Sequence, residues 1–176
     1  MKRASRFGVA VLMLCACAAA DESTPKDADP EIAAIQARIE TDTANWQNYV
    51  SLSSELRHKQ RLEEAAQAAE KAFQLAPSPG FEARLEMAKV YAAADRSASA
   101  INLVKDAEKK KRDEGAVVDE VKIAEVYAVL GDVSAVFRWL DRAAQAHSPN
   151  MAGLATNREF DALRDDPRFK AYAGAQ

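Results

Sequence analysis

Three stretches of this chain repeat one another in a fixed register, and that periodicity limits the fold more than any other feature. Leu52, Ser53 and Leu56 align with Met87, Ala88 and Tyr91, and again with Ile123, Ala124 and Tyr127. Further on, Ala65, Ala69 and Ala72 align with Ala100, Val104 and Ala107, then with Val136, Leu140 and Ala143. All six columns are offset by 35 and then by 36 residues. One register shared by six columns predicts a single supersecondary unit stacked three times.

Spacing within the columns predicts what that unit is. Leu52 and Leu56 stand four apart, as do Met87 and Tyr91, and Ile123 and Tyr127. That is the buried stripe of a first helix. Ala65, Ala69 and Ala72 stripe a second helix by steps of four and three. Polar turns separate the two, at 58–61, 94–97 and 130–133, and Gly131 suits a left-handed residue closing a helix. Roughly a fifth of the residues are Ala, only 7% are aromatic, and Gly and Pro number six each. Such a core relies on close helix approach rather than bulk, and so few turn residues exclude an all-β fold. The expected class is all-α.

The pattern resembles the tetratricopeptide repeat, a helix-turn-helix unit of about 34 residues. Small residues match at Ser53, Ala88 and Ala124, and at Ala65 and Ala100. Pro77 near the end of the first unit and Gly131-Asp132 in the third turn match as well. The usual Trp position carries Tyr49, Arg84 and Glu120 instead, and the second unit ends in Lys109-Lys110-Lys111-Arg112 rather than proline. The resemblance implies a short right-handed α-solenoid of three degenerate units, 46–80, 81–115 and 116–148. A leading helix in 31–45 would cover the first unit. Residues 149–176 would cap the last, because an internal repeat face is apolar.

That C-terminal stretch holds Phe160-Asp161-Ala162-Leu163-Arg164-Asp165-Asp166-Pro167-Arg168-Phe169, similar to an end-of-array segment in many bacterial tetratricopeptide proteins. Asp166 is a plausible N-cap with Pro167 at the first helical position. Phe160, Leu163, Phe169 and Tyr172 would cover the last repeat.

The first residues read as an address. Lys2, Arg3 and Arg6 precede an uncharged stretch from Phe7 to Ala16. Ten helical residues span about 15 Å, half a bilayer core, so residues 1–16 suit a signal peptide and not a span. Leu14-Cys15-Ala16-Cys17 resembles a bacterial lipobox, which implies diacylation of Cys17. Ala18 after that cysteine implies the outer membrane, facing the periplasm. Cleavage after Ala18-Ala19-Ala20 would instead release a soluble periplasmic protein. Residues 17–30 are polar with two prolines, a tether of about 20 Å root-mean-square length.

No chemistry is expected. The net charge of −3 offers no basic field to nucleic acid. Both cysteines precede residue 18, and His58 and His147 lie in different units, so no metal set is spaced for binding. No phosphate loop or nucleophile elbow occurs, so no catalytic residue, cofactor or small-molecule substrate is expected. Lys109 to Arg112 complements a helix end. What remains is the groove that the resemblance implies on the first helices. Its candidates are Val50, Ser54 and Arg57, then Leu85, Lys89 and Ala92, then Val121, Glu125 and Ala128. Chaperone-binding members clamp a carboxylate with Lys and Asn at positions that carry Val50 and Ser54 here. The expected groove is mildly apolar with a few charges and suits an extended peptide or helix of another envelope protein. The implied role is a lipid-anchored, non-catalytic scaffold. An accessory subunit of an envelope enzyme or signalling complex is the alternative.

Overall fold

The computed structural model describes residues 29–77, 80–115 and 118–174. The expectations for the leader, Cys17 and the tether up to residue 28 fall outside them. The described residues form α1 (Pro30–Thr41), α2 (Trp46–His58), α3 (Leu62–Leu75), α4 (Phe81–Ala93), α5 (Ser97–Glu114), α6 (Glu120–Val129), α7 (Val133–Gln145) and α8 (Pro167–Gly174). Two 3-10 helices, Pro149–Thr156 and Arg158–Leu163, lie between α7 and α8. No strand occurs among the described residues, so the class is all-α.

The helices pair as α2 with α3, α4 with α5, and α6 with α7. The first helices of successive pairs also pack together, α2 on α4 and α4 on α6. The small-residue columns explain how they can. Ser53, Ala88 and Ala124 are wholly buried, and so are Ala65, Ala69, Ala72, Ala100, Val104, Ala107, Val136, Leu140 and Ala143. A column of Ala lets two backbones approach to the short end of the interaxial range. By contrast, Leu52, Met87, Tyr91 and Tyr127 are only half-buried, at the edges of that contact.

Each pair turns in the same way. Gln60, Asp95 and Gly131 all take positive φ, at 61°, 57° and 74°. They occupy one repeat position. The next residue donates its amide back to the first helix, Arg61 to the Leu56 carbonyl (2.8 Å), Arg96 to Tyr91 (2.8 Å) and Asp132 to Tyr127 (3.0 Å). These are Schellman closures, which satisfy carbonyls that a helix end leaves orphaned. Only Gly131 meets the backbone requirement without a Cβ penalty.

The ends are sealed differently. Asp29 caps α1, accepting from the Glu31 (3.0 Å) and Ile32 (3.4 Å) amides, and its carboxylate also meets the Lys59 amine at 2.7 Å. The helix therefore begins one residue earlier than its apolar run suggests. It buries Ile32 and Ile35 against α2, while Ala33 and Ala37 face solvent. At the other end Asp166 caps α8 through the Arg168 amide (2.9 Å), with Pro167 in the first turn. Leu154, Phe160 and Phe169 are buried with Val136, Trp139 and Leu140 in the main core.

Candidate functional site

The face formed by α2, α4 and α6 is where the nine groove candidates fall, and its charges are more numerous than the few expected. Opposite charges interlock on it. The Lys89 amine meets Glu86 at 2.8 Å on its own helix and Glu125 of α6 at 3.1 Å. Glu125 in turn binds the Lys122 amine at 3.1 Å. Arg57 of α2 approaches Glu86 at 3.6 Å, and the Ser53 hydroxyl donates to Glu86 at 3.3 Å. Spacings of three along a helix bring 86 and 89, and 122 and 125, to neighbouring surface positions.

The C-terminal segment completes this network from outside the repeats. Glu159 receives two hydrogen bonds from the Arg57 guanidinium, that from Nη1 at 3.1 Å, and lies 3.4 Å from the Lys89 amine. Asn157 donates its side-chain amide to Glu125 at 2.9 Å and accepts the Glu159 backbone amide at 3.0 Å. Arg158 points the other way and pairs with Glu55 at 3.0 Å. His58, at the end of α2, stands 3.7 Å from Glu159. Two residues of one short segment thus touch helices of all three pairs.

Three cations (Arg57, Lys89 and Lys122) meet three carboxylates (Glu86, Glu125 and Glu159). The balance matters because the group is desolvated: Arg57 is 4% exposed, Lys89 7% and Glu125 2%. Burial opposes ionisation of Glu125 and Glu159. The nearby amines and guanidinium outweigh it and hold both carboxyls below the ordinary carboxylate value. Burial likewise opposes the charge on Lys89, and Glu86 and Glu125 override it, so its pKa is raised. His58 is pushed down by burial and by Arg57, against the pull of Glu159. Buried pairs of this kind are costly to break, since removing one partner strands the other charge.

Of the nine candidates, Arg57, Lys89 and Glu125 are brought together in this network. Leu85 and Val121 sit in the apolar core, and Ala92 is buried beside them. These six are largely buried, and Lys89 and Glu125 still border open space on this face. Val50, Ser54 and Ala128 stay half-buried. What remains open is a trough along α2. One part, about 380 Å³, is lined by Ile35, Arg38, Val50, Ser51, Ser54 and Lys122. A second part, about 300 Å³, shares Ser54, Glu55, Lys89 and Lys122 and is walled by residues 156–159.

Glu86, Lys122, Asn157 and Glu159 were not singled out by the sequence. One signal was present. Column by column, Ser51, Glu86 and Lys122 align, and so do Ser54, Lys89 and Glu125. Adjacent repeats therefore carry opposite charges at the same register, Glu-x-x-Lys facing Lys-x-x-Glu.

The other charged runs have structural partners. The Lys111 amine donates to the Val118 carbonyl (2.9 Å) and to Glu120, tying the end of α5 to the start of α6. Asp119 caps α6 through Val121 (2.8 Å) and also binds Ser148 (3.0 Å) and Asn150. Among the described residues no group of three His, Cys, Asp or Glu side chains could hold a metal ion, and no helix is long and apolar enough to cross a membrane. No family profile, curated protein or solved structure matches this chain.

Proposed function

We propose that this chain is a protein-interaction scaffold of the tetratricopeptide kind, lipid-anchored through Cys17 in the outer membrane and facing the periplasm. It performs no chemistry of its own and gathers other envelope proteins. The observation that carries this reading is the succession of first helices, α2 on α4 on α6, at one repeat register. Stacked first helices build an extended face, and extended faces suit peptide or helix partners. Membrane confinement raises the effective concentration of both partners, so modest affinity suffices.

In-cell photocrosslinking tests the scaffold role. A photoreactive residue at Ser54 or Val50 should yield discrete protein adducts, and one at Lys105 on α5 should not. Adducts from Lys105 alone, or none at all, would sink the reading. Labelled palmitate tests the anchor: incorporation should vanish on Cys17→Ala, and unchanged labelling would refute it.

A further inference from the structure

We propose that residues 155–159 are a resident plug in the first-helix face, and that the partner this face fits is an extended segment whose carboxylate side chain takes the place of Glu159. The proposal rests on the scaffold reading above and names the partner's chemistry.

Side chains of the plug make its bonds to α2, α4 and α6. Leu154 and Phe160 on either side are wholly buried and anchor it in the main core. Between them Ala155, Thr156 and Arg158 are exposed. At the junction of the two 3-10 helices the Asn157 amide donates to the Leu154 carbonyl at 3.3 Å and the Phe160 amide to the Asn157 carbonyl at 3.2 Å. The Arg164 guanidinium steadies the Ala155 and Asn157 carbonyls from outside. The segment can therefore lift between its two anchors without dismantling the core.

What it covers is complementary to an acid. With Glu159 withdrawn, Arg57 and Lys89 keep only Glu86 and Glu125, which Lys122 shares. Three cations then face two carboxylates, and a carboxylate from elsewhere restores the balance. The open trough leads to that position. Its lining carries the cations Arg38, Lys89 and Lys122 beside the carboxylates Glu55, Glu86 and Glu125, and Lys89 and Lys122 are common to both parts. Asn157 marks a second requirement, an amide two residues before the acid that donates to Glu125. The recognised group is a side chain within a segment rather than a chain end, since Glu159 itself is internal.

The test uses the full chain with Glu159→Ala and two labelled, C-terminally amidated nonapeptides, one with a central Asn-Ser-Glu and one with Asn-Ser-Gln. Fluorescence anisotropy should show Glu159→Ala binding the Glu peptide at least about tenfold more tightly than the Gln peptide. The unmodified chain should bind the Glu peptide at least about tenfold more weakly than Glu159→Ala does. Adding Arg57→Met should remove the preference. Equal binding of both peptides by a folded Glu159→Ala chain overturns the proposal. So does a Glu159→Ala chain that loses its helical circular dichroism, because a plug must be dispensable to the fold. Discrete crosslinks from Ser54 together with equal peptide binding would leave the scaffold reading standing and remove only this one. Selective binding with no crosslinks would remove the scaffold reading and leave only the chemical preference of the face.

Discussion

Around α2 and α3 the apolar core consists of Ile32, Leu56, Ala65, Ala68, Ala69 and Val90, whereas around α6 and α7 it takes in Ile123, Phe137, Trp139, Leu140, Phe160 and Phe169. The two regions share a register but not a means of cohesion. Large side chains bury more area each, so the C-terminal region gains most from the hydrophobic effect. The N-terminal pair has small side chains and a supplementary polar fastening, Arg57 to Glu159 and Asp29 to Lys59. The difference teaches that one repeat pattern can be stabilised by bulk at one end and by charge pairing at the other.

The sharpest way to break the comparison is to hollow out the bulky end. Phe160→Ala should cost about 4 kcal/mol through lost burial and a cavity, lowering the calorimetric midpoint for the whole chain. A loss confined to α8 would show that the C-terminal segment is not integral to the core. Next comes the polar fastening. Glu159→Gln should cost about 3 kcal/mol by leaving Arg57, Lys89 and Lys122 with only Glu86 and Glu125. Amide hydrogen exchange should then rise more in α1, α2 and α3 than in α6 and α7. Uniform acceleration would contradict the division.

Crowding the thin core should act third. Ala69→Leu forces side-chain volume into the α2–α3 contact, and overpacking should cost about 2 kcal/mol, read by urea denaturation. A neutral outcome would mean that the Ala column does not set the helix distance.

Acid should loosen the same end more gently. Glu125 and Glu159 have pKa values below the ordinary 4.5 in the folded chain, so the unfolded chain binds more protons in the interval between. Their stabilisation is complete above that ordinary value and is lost as pH falls through the lower folded values. Protection factors in α2, taken against the intrinsic exchange rate at each pH, should therefore fall on going from about pH 6 to about pH 3 before those in α7 respond. Simultaneous onset would count against the fastening. The smallest effect is a gain: Gln60→Gly relieves a positive φ of 61° and should add about 0.5–1 kcal/mol, visible as a raised midpoint.

Most of the fold could be read in advance because it is periodic. The buried columns at Ala65/Ala100/Val136 and Ser53/Ala88/Ala124 repeat, and so do the turns at Gln60, Asp95 and Gly131. The start of α1 lies one residue before the expected 31, because the Asp29 carboxylate caps the helix and Pro30 suits its first position. Closure of the face escaped notice for a different reason. Arg57 and Glu159 are 102 residues apart, and a single long-range ion pair leaves no period. Lys89 and Glu125 were noticed as separate groove positions, while the sign reversal between their columns was the readable trace of a network.

The contact between Arg57 and Glu159 also has a mechanical side. The helices offer one load path, pair by pair, from α2 to the C-terminal core. The plug adds a second path in parallel, a chord running directly from the first pair to the segment anchored by Leu154 and Phe160. A pull on α1 is shared between the two, so the middle pair, α4 with α5, is relieved of part of the tension. Anything that lifts the plug transfers that load back to the ladder, and a force applied at one end then becomes a change in spacing along the whole face.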